Sequence, residues 1–291
     1  MAALTAGALA GCGSSDAGRA TPTSTAPAPS WPPADGRPEY EAWATVIQSG
    51  DADARLCLEG VRTSLPPQCD GIAITNWDWD AVDGEDRQGS IRWADFHVRG
   101  TYEDGALTLT ETPRRGEPDD TWNPDPDADR LETPCPEPDG GWVVTDPTKV
   151  DDESPMIAAA RAEPDFGDIW IDDLGQDDAD GYQDLTRAVF TVTFTGDLPR
   201  HEAELRELWG GPLCVWRAAR TQADVDAVTA RIQADVEAGW FGEVTVLSWG
   251  STGLEGPVTV SVTVAPDDLA ERLTQRYGTP VEVVSALRPV A

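Results

Sequence analysis

Between residues 39 and 112, apolar and polar side chains alternate in short runs separated by turn signals. The runs 44–49, 55–60, 72–79, 91–101 and 106–111 predict strands, because a period of two gives each segment one buried face. The breaks between them carry Ser49-Gly50-Asp51, Pro66-Pro67, Asp83-Gly84 and Glu103-Asp104-Gly105. Five short strands of this kind predict a small β-barrel or open sandwich, OB-like in type. The period changes further along the chain. Val225, Val228, Ile232 and Val236 recur at helical spacing, and Thr221 and Asp224 are spaced as a capping box, which predicts a helix over 221–238. Val258, Val260, Val262 and Val264 then alternate as one buried strand face. Leu269, Leu273 and Tyr277 mark a second helix stopped by Gly278, and Val281 and Val283 bury the last strand.

This C-terminal pattern occurs twice. Gly210-Gly211-Pro212-Leu213-Cys214-Val215-Trp216-Arg217 runs beside Gly278-Thr279-Pro280-Val281-Glu282-Val283-Val284-Ser285 at an offset of 68 residues. Residues 190–195 match 258–263 at the same offset. Phe166-Gly167-Asp168-Ile169 is set against Phe241-Gly242-Glu243-Val244 at an offset of 75, so the first copy is expected to carry extra residues in its hairpin loop. Leu205, Leu208 and Trp209 form the counterpart helix face, while Trp170, Trp209 and Trp216 fall opposite Thr245, Tyr277 and Val284. The fold class predicted is α+β: a small N-terminal barrel followed by a duplicated α-β-β-α-β domain. That order of elements is similar to the BON domain of bacterial envelope proteins, a resemblance that implies envelope or phospholipid association.

The N-terminus carries a different signal. A short apolar stretch ends in Leu9-Ala10-Gly11-Cys12. This string resembles the lipobox of bacterial lipoproteins, which implies removal of residues 1–11 and a lipid on Cys12. The stretch is short for an export signal, and no Lys or Arg precedes it. Residues 12–38 are rich in Ser, Thr, Ala, Pro and Gly and predict a disordered tether. The remaining predicted divisions are a β domain at 39–112, a Pro/Asp-rich linker at 113–150, and repeat copies at 151–220 and 221–291. In the β domain, Leu56-Cys57-Leu58-Glu59-Gly60 and Pro66-Pro67-Gln68-Cys69 lead to Asn76-Trp77-Asp78-Trp79-Asp80-Ala81-Val82-Asp83-Gly84. This arrangement resembles a group of secreted actinobacterial proteins that carries no assigned activity. Lys149 is the sole lysine among 21 basic residues, a usage that fits a GC-rich genome.

Lipidation of Cys12 leaves Cys57, Cys69, Cys135 and Cys214, an even number in an exported chain, for which three connectivities exist. Cys57–Cys69 and Cys135–Cys214 are favoured. Cys57 and Cys69 flank a short loop, whose closure contributes about 3 kcal/mol. In the last strand of copy one, Leu213 and Val215 point inward by phase. Cys214 therefore points outward, within reach of the linker. A thiolate metal site is disfavoured, with no Cys-x-x-Cys and only His97 and His201 available.

Charge and side-chain chemistry narrow the function. With 53 acidic residues against 21 basic ones, the net charge is −32, which excludes phosphate-backbone binding to nucleic acid. Asp178 and Asp180 have alternate spacing suited to a weak calcium loop, but Gln176 and Arg187 stand where further ligands belong. Asn123, Asp125, Asp127 and Asp129 also alternate, among prolines. No other cofactor is indicated. Trp77 and Trp79 share one face of a predicted strand, where an exposed pair would stack on sugar rings; filling a small core is the favoured role. Neither His97 nor His201 sits in a motif with a Ser or Cys nucleophile. The expectation is a lipid-anchored protein on the outer face of the cytoplasmic membrane. Its role would be a non-catalytic binding or interaction module for an envelope protein. A cell-wall glycan binder is the alternative and an extracellular hydrolase the third.

Overall fold

In the computed structural model, which describes residues 31, 35–116, 131–175, 184–251 and 256–290, the alternating N-terminal region is a closed barrel. Its strands are β1 (Glu39–Ser49), β2 (Ala54–Cys57), β3 (Ile72–Ile74), β4 (Asp86–Gln88), β5 (Ile91–Glu103), β6 (Ala106–Leu109) and β7 (Arg114–Arg115). Five of them form a ring in the order β1-β2-β3-β6-β5, closed by a long antiparallel ladder from Glu39↔Thr101 to Ser49↔Ile91. Within the ring β3 and β6 pair in parallel and the other neighbours antiparallel. Ala42, Val46, Leu56, Ile74, Phe96, Val98, Leu107 and Leu109 fill it, at every second position along the long strands. Gly100 is required at the β5–β6 crossing, because a Cβ there would lie 2.2 Å from the Thr108 carbonyl oxygen. β4 and β7 extend the sheet from β5.

The strand expected over 72–79 stops at Ile74. Asn76 replaces strand pairing with its side chain, donating from Nδ2 to the Leu109 carbonyl (3.0 Å) and accepting from the Leu109 N–H (2.8 Å). The chain then enters a 3-10 turn, Trp79–Ala81, capped by the Asp78 carboxylate.

The rest of the chain contains α1 (Ser154–Ala162), β8 (Phe166–Asp172), β9 (Val189–Phe194), α2 (Leu198–Leu208) and β10 (Leu213–Arg217). It continues with α3 (Gln222–Glu237), β11 (Val246–Ser251), β12 (Val258–Val262), α4 (Leu269–Tyr277), β13 (Val281–Ser285) and β14 (Arg288–Pro289). Among the described residues there are two three-stranded sheets, β10-β9-β8 and β11-β12-β13. Each has an antiparallel and a parallel pairing on its central strand. In the first, Phe190, Val192 and Phe194 pack against Met156, Ala160 and Leu205 of the helices and against Trp209, which follows α2. In the second, Val258, Val260 and Val262 pack against Val225, Ile232, Leu269 and Leu273. The Thr221–Asp224 capping box forms in both directions, with 3.1 Å bonds, and starts α3.

Several expectations change. Leu208 is 37% exposed, because α2 presents Leu205 inward and Trp209, just past its end, turns inward as well. Phe241 and Gly242 lie in the turns after α3, whereas Phe166 and Gly167 lie in β8, so the match at offset 75 joins unlike places. Residues 131–150, expected as a linker, are held at Cys135 and at further points besides. Thr145 donates to the Gly210 carbonyl, and the Gly210 N–H donates to the Lys149 carbonyl. β7 belongs to the barrel sheet rather than to a linker, and the C-terminal end also returns there. β14 pairs with β1 at Tyr40↔Pro289 and Glu41↔Arg288, and Leu287 is buried in the barrel core.

Candidate functional site

Both expected disulfides are present, with Cα separations of 5.7 Å for Cys57–Cys69 and 5.8 Å for Cys135–Cys214. Cys214 points away from the helix-packed core, as its phase requires, yet it is only 1% exposed because residues 131–150 lie over it. Cys57 ends β2, and its bond to Cys69 staples the loop that leads into β3. Within that loop Arg62 pairs with Asp70 at 2.7 Å, its N–H donates to the Gln68 carbonyl, and the Ser64 hydroxyl donates to the Pro66 carbonyl.

The stapled loop holds apolar groups in water. Leu65 is 76% exposed and Val61 42%. They form one wall of a cleft of about 450 Å³, whose other wall is the β4–β5 hairpin with Asp86, Trp93 and Asp95. Asp86 and Trp93 face each other across the hairpin ladder, and the Thr45 hydroxyl donates to Asp95 at 2.5 Å. Arg115 borders the cleft and passes close to Gly84, where a Cβ would lie 1.9 Å from its guanidinium. Gly84 also has a φ of +74°, so the turn depends on glycine. The cleft therefore offers an indole, aliphatic side chains, carboxylate acceptors and one cation.

Trp77 and Trp79 form no exposed platform. Trp79 is 8% exposed and Trp77 half-buried, with ring centroids 5.1 Å apart, and Trp77 packs edge-on to Phe96 at 5.0 Å. Leaving the strand after Ile74 turns both indoles onto the barrel core. Cys12, the run Asn123 to Asp129, and Asp178 and Asp180 lie outside the described residues.

The two histidines are committed to buried polar networks. His97 Nε2 lies 3.2 Å from Glu41 Oε2, Arg114 Nη2 donates to His97 Nδ1 at 2.9 Å, and Trp43 packs against the ring. The arginine bond places the ring proton on Nε2, where it is given to Glu41. Burial, then the Arg114 charge, lower the His97 pKa against the opposing pull of Glu41. His201 lies flat on Phe194 at 3.7 Å, with Nε2 3.0 Å from Asp165 Oδ2. Glu163, Asp165 and His201 bring ligand-type atoms within 4.8 Å of one another. Arg200 supplies a cation to the same cluster, bonding Glu163 at 2.9 Å and approaching His201 Nε2 at 3.0 Å. Its carboxylate partners raise the Arg200 pKa. The cluster reads as an ion network joining α2 to the turn before β8.

Sequence reasoning missed Trp93, Leu65 and Arg115 as neighbours. The outward phase of Trp93 in its strand was available, but the opposite wall depends on barrel closure. Comparison of the chain with family models, with curated proteins and with solved structures gave no match.

Proposed function

We propose that this chain is a binding module of the cell envelope, moored by a lipid on Cys12 and acting without catalysis. The observation that supports it best is the cleft beside the stapled loop. Exposed apolar side chains normally collapse or cause aggregation, whereas here a disulfide holds Val61 and Leu65 open beside Trp93. The ring order, with one parallel pairing among antiparallel ones, fits an OB-like barrel, a scaffold used for ligand recognition. The two helix-strand-strand-helix-strand stretches fit a duplication, and their similarity to BON domains is consistent with an envelope setting. An actinobacterial lipoprotein of this kind would face outward from the cytoplasmic membrane. No described helix is long and apolar enough to cross one.

Two measurements test this. Intact-mass analysis of protein from the native membrane fraction should give a chain beginning at a diacylglyceryl-modified Cys12 with two bridges; an unacylated Cys12 overturns the mooring. Retention of detergent-solubilised envelope proteins on immobilised protein should fall when Val61 and Leu65 are both changed to Ser. Retention unaffected by that double change rejects the cleft as the binding surface. Trp93 beside Asp86 and Asp95 supports a second reading, in which the ligand is a wall glycan. Soluble wall fragments would then quench tryptophan fluorescence in the parent protein and not in Trp93→Phe.

A further inference from the structure

The two small sheets have the same pairing register but different coverings on the face opposite their helices. In the first sheet, Trp170, Thr191 and Cys214 lie side by side across three strands. The chain's own residues 133–135 cross this row. The Thr133 N–H donates to Asp172 at 2.7 Å, Thr191 Oγ1 donates to Thr133 Oγ1 at 3.1 Å, and Cys135 bonds Cys214. Pro134 and Pro136 bracket the crossing cysteine, keeping the segment extended with fewer N–H groups to satisfy.

In the second sheet the same register positions are Gly250, Thr259 and Glu282. Among the described residues a Cβ on Gly250 would meet nothing within 4 Å, and Glu282 is exposed. Thr259 Oγ1, the counterpart of the hydroxyl that bonds Thr133, is buried and has no hydrogen-bond partner. The row thus has open space, an unpaired hydroxyl and a carboxylate in the order that the first sheet uses for indole, hydroxyl and disulfide.

We propose that this row binds an extended segment of a partner protein, crossing it as residues 133–135 cross the first sheet. The segment carries Ser or Thr over Thr259 and Lys or Arg two residues later against Glu282. Two residues of extended chain span about 6.6 Å, enough to step from one strand to its neighbour. A basic partner follows from the exposed Glu282 and the net charge of −32, which also disfavours a second copy of this chain. The inference rests on the binding-module reading but concerns a surface separate from the cleft.

The probe is a capped peptide of residues 131–138 in which Glu132→Gln, Cys135→Lys and Glu137→Gln have been made, titrated into the full isotope-labelled protein with both disulfides intact. At physiological ionic strength, where the screening length is about 8 Å, saturable NMR shifts should centre on Gly250, Thr259 and Glu282. Glu282→Lys should weaken binding about tenfold and shift preference to the same peptide with Glu in place of Lys. Gly250→Trp should block binding while the remaining spectrum stays that of the folded protein. Absence of saturable shifts, or shifts that survive Gly250→Trp, overturns the proposal. Shifts confined to Trp93 and Leu65 also overturn it, while leaving the binding-module reading standing.

Discussion

The segments 154–217 and 222–285 run through the same order of elements with the same strand register, yet solve one problem in two ways. A three-stranded sheet with helices on one face still has a second face to manage. The first sheet buries that face under residues 131–150, so Thr191 is fully buried and Trp170 is tolerated. The second leaves it to Ser248, Gly250, Ser261 and Glu282, which water can solvate. Cover and polarity are therefore alternative ways to finish a sheet of this register, and under the proposal above the uncovered one is the surface that meets a partner.

The strongest way to break the contrast is to release the cover. Changing Cys135 and Cys214 together to Ser frees a bridge spanning 79 residues and should cost about 4 kcal/mol in denaturant unfolding. Amide exchange should rise in β9 and β10 before β12 and β13. Next, Leu205→Ala and Leu273→Ala remove equivalent buried side chains and should each cost about 3 kcal/mol. Costs differing by more than twofold would show that the two helical faces are not packed alike. A finer comparison sets Thr191→Val against Thr259→Val. The first breaks the bond to Thr133 and should cost about 1 kcal/mol, while the second removes an unpaired hydroxyl and should be neutral or slightly stabilising. The smallest effect appears in acid. Hydrogen bonds from Arg276, then Tyr277, hold Asp235 below its ordinary pKa of 3.8, clamping α3 to α4. That contribution is complete above 3.8 and fades as pH falls through and below it. Asp235→Asn should flatten the acid limb of the stability curve, and an unchanged limb would refute the clamp.

Alternation exposed the five ring strands, and phase alone turned Cys214 toward Cys135. Those features are local and depend on which side of a strand a residue occupies. A barrel or an open sandwich was the expectation, and the barrel is what forms; which strands close it was not legible, because the β1–β5 ladder and the parallel β3–β6 pair join distant segments. Trp93, Leu65 and Arg115 meet only after that closure, which is why the cleft escaped notice. Trp77 and Trp79 fill the core, the role favoured for them, but not from a strand: Asn76 diverts the chain by bonding Leu109 with its side chain, and period-two reading does not register such a diversion. The Phe-Gly string at 166 and 241 misled because two residues are too few to fix register. Strand pairing instead places Gly250, not Thr245, opposite the central strand where Trp170 stands in the first sheet.

Leu287 deserves a final consequence. Its side chain completes an interior begun more than two hundred residues earlier, and β14 then zips along β1. During synthesis the first strands must wait for residues 287–289 before their interior is sealed. The molecule is thus threaded shut from behind, and its parts should melt together rather than in turn.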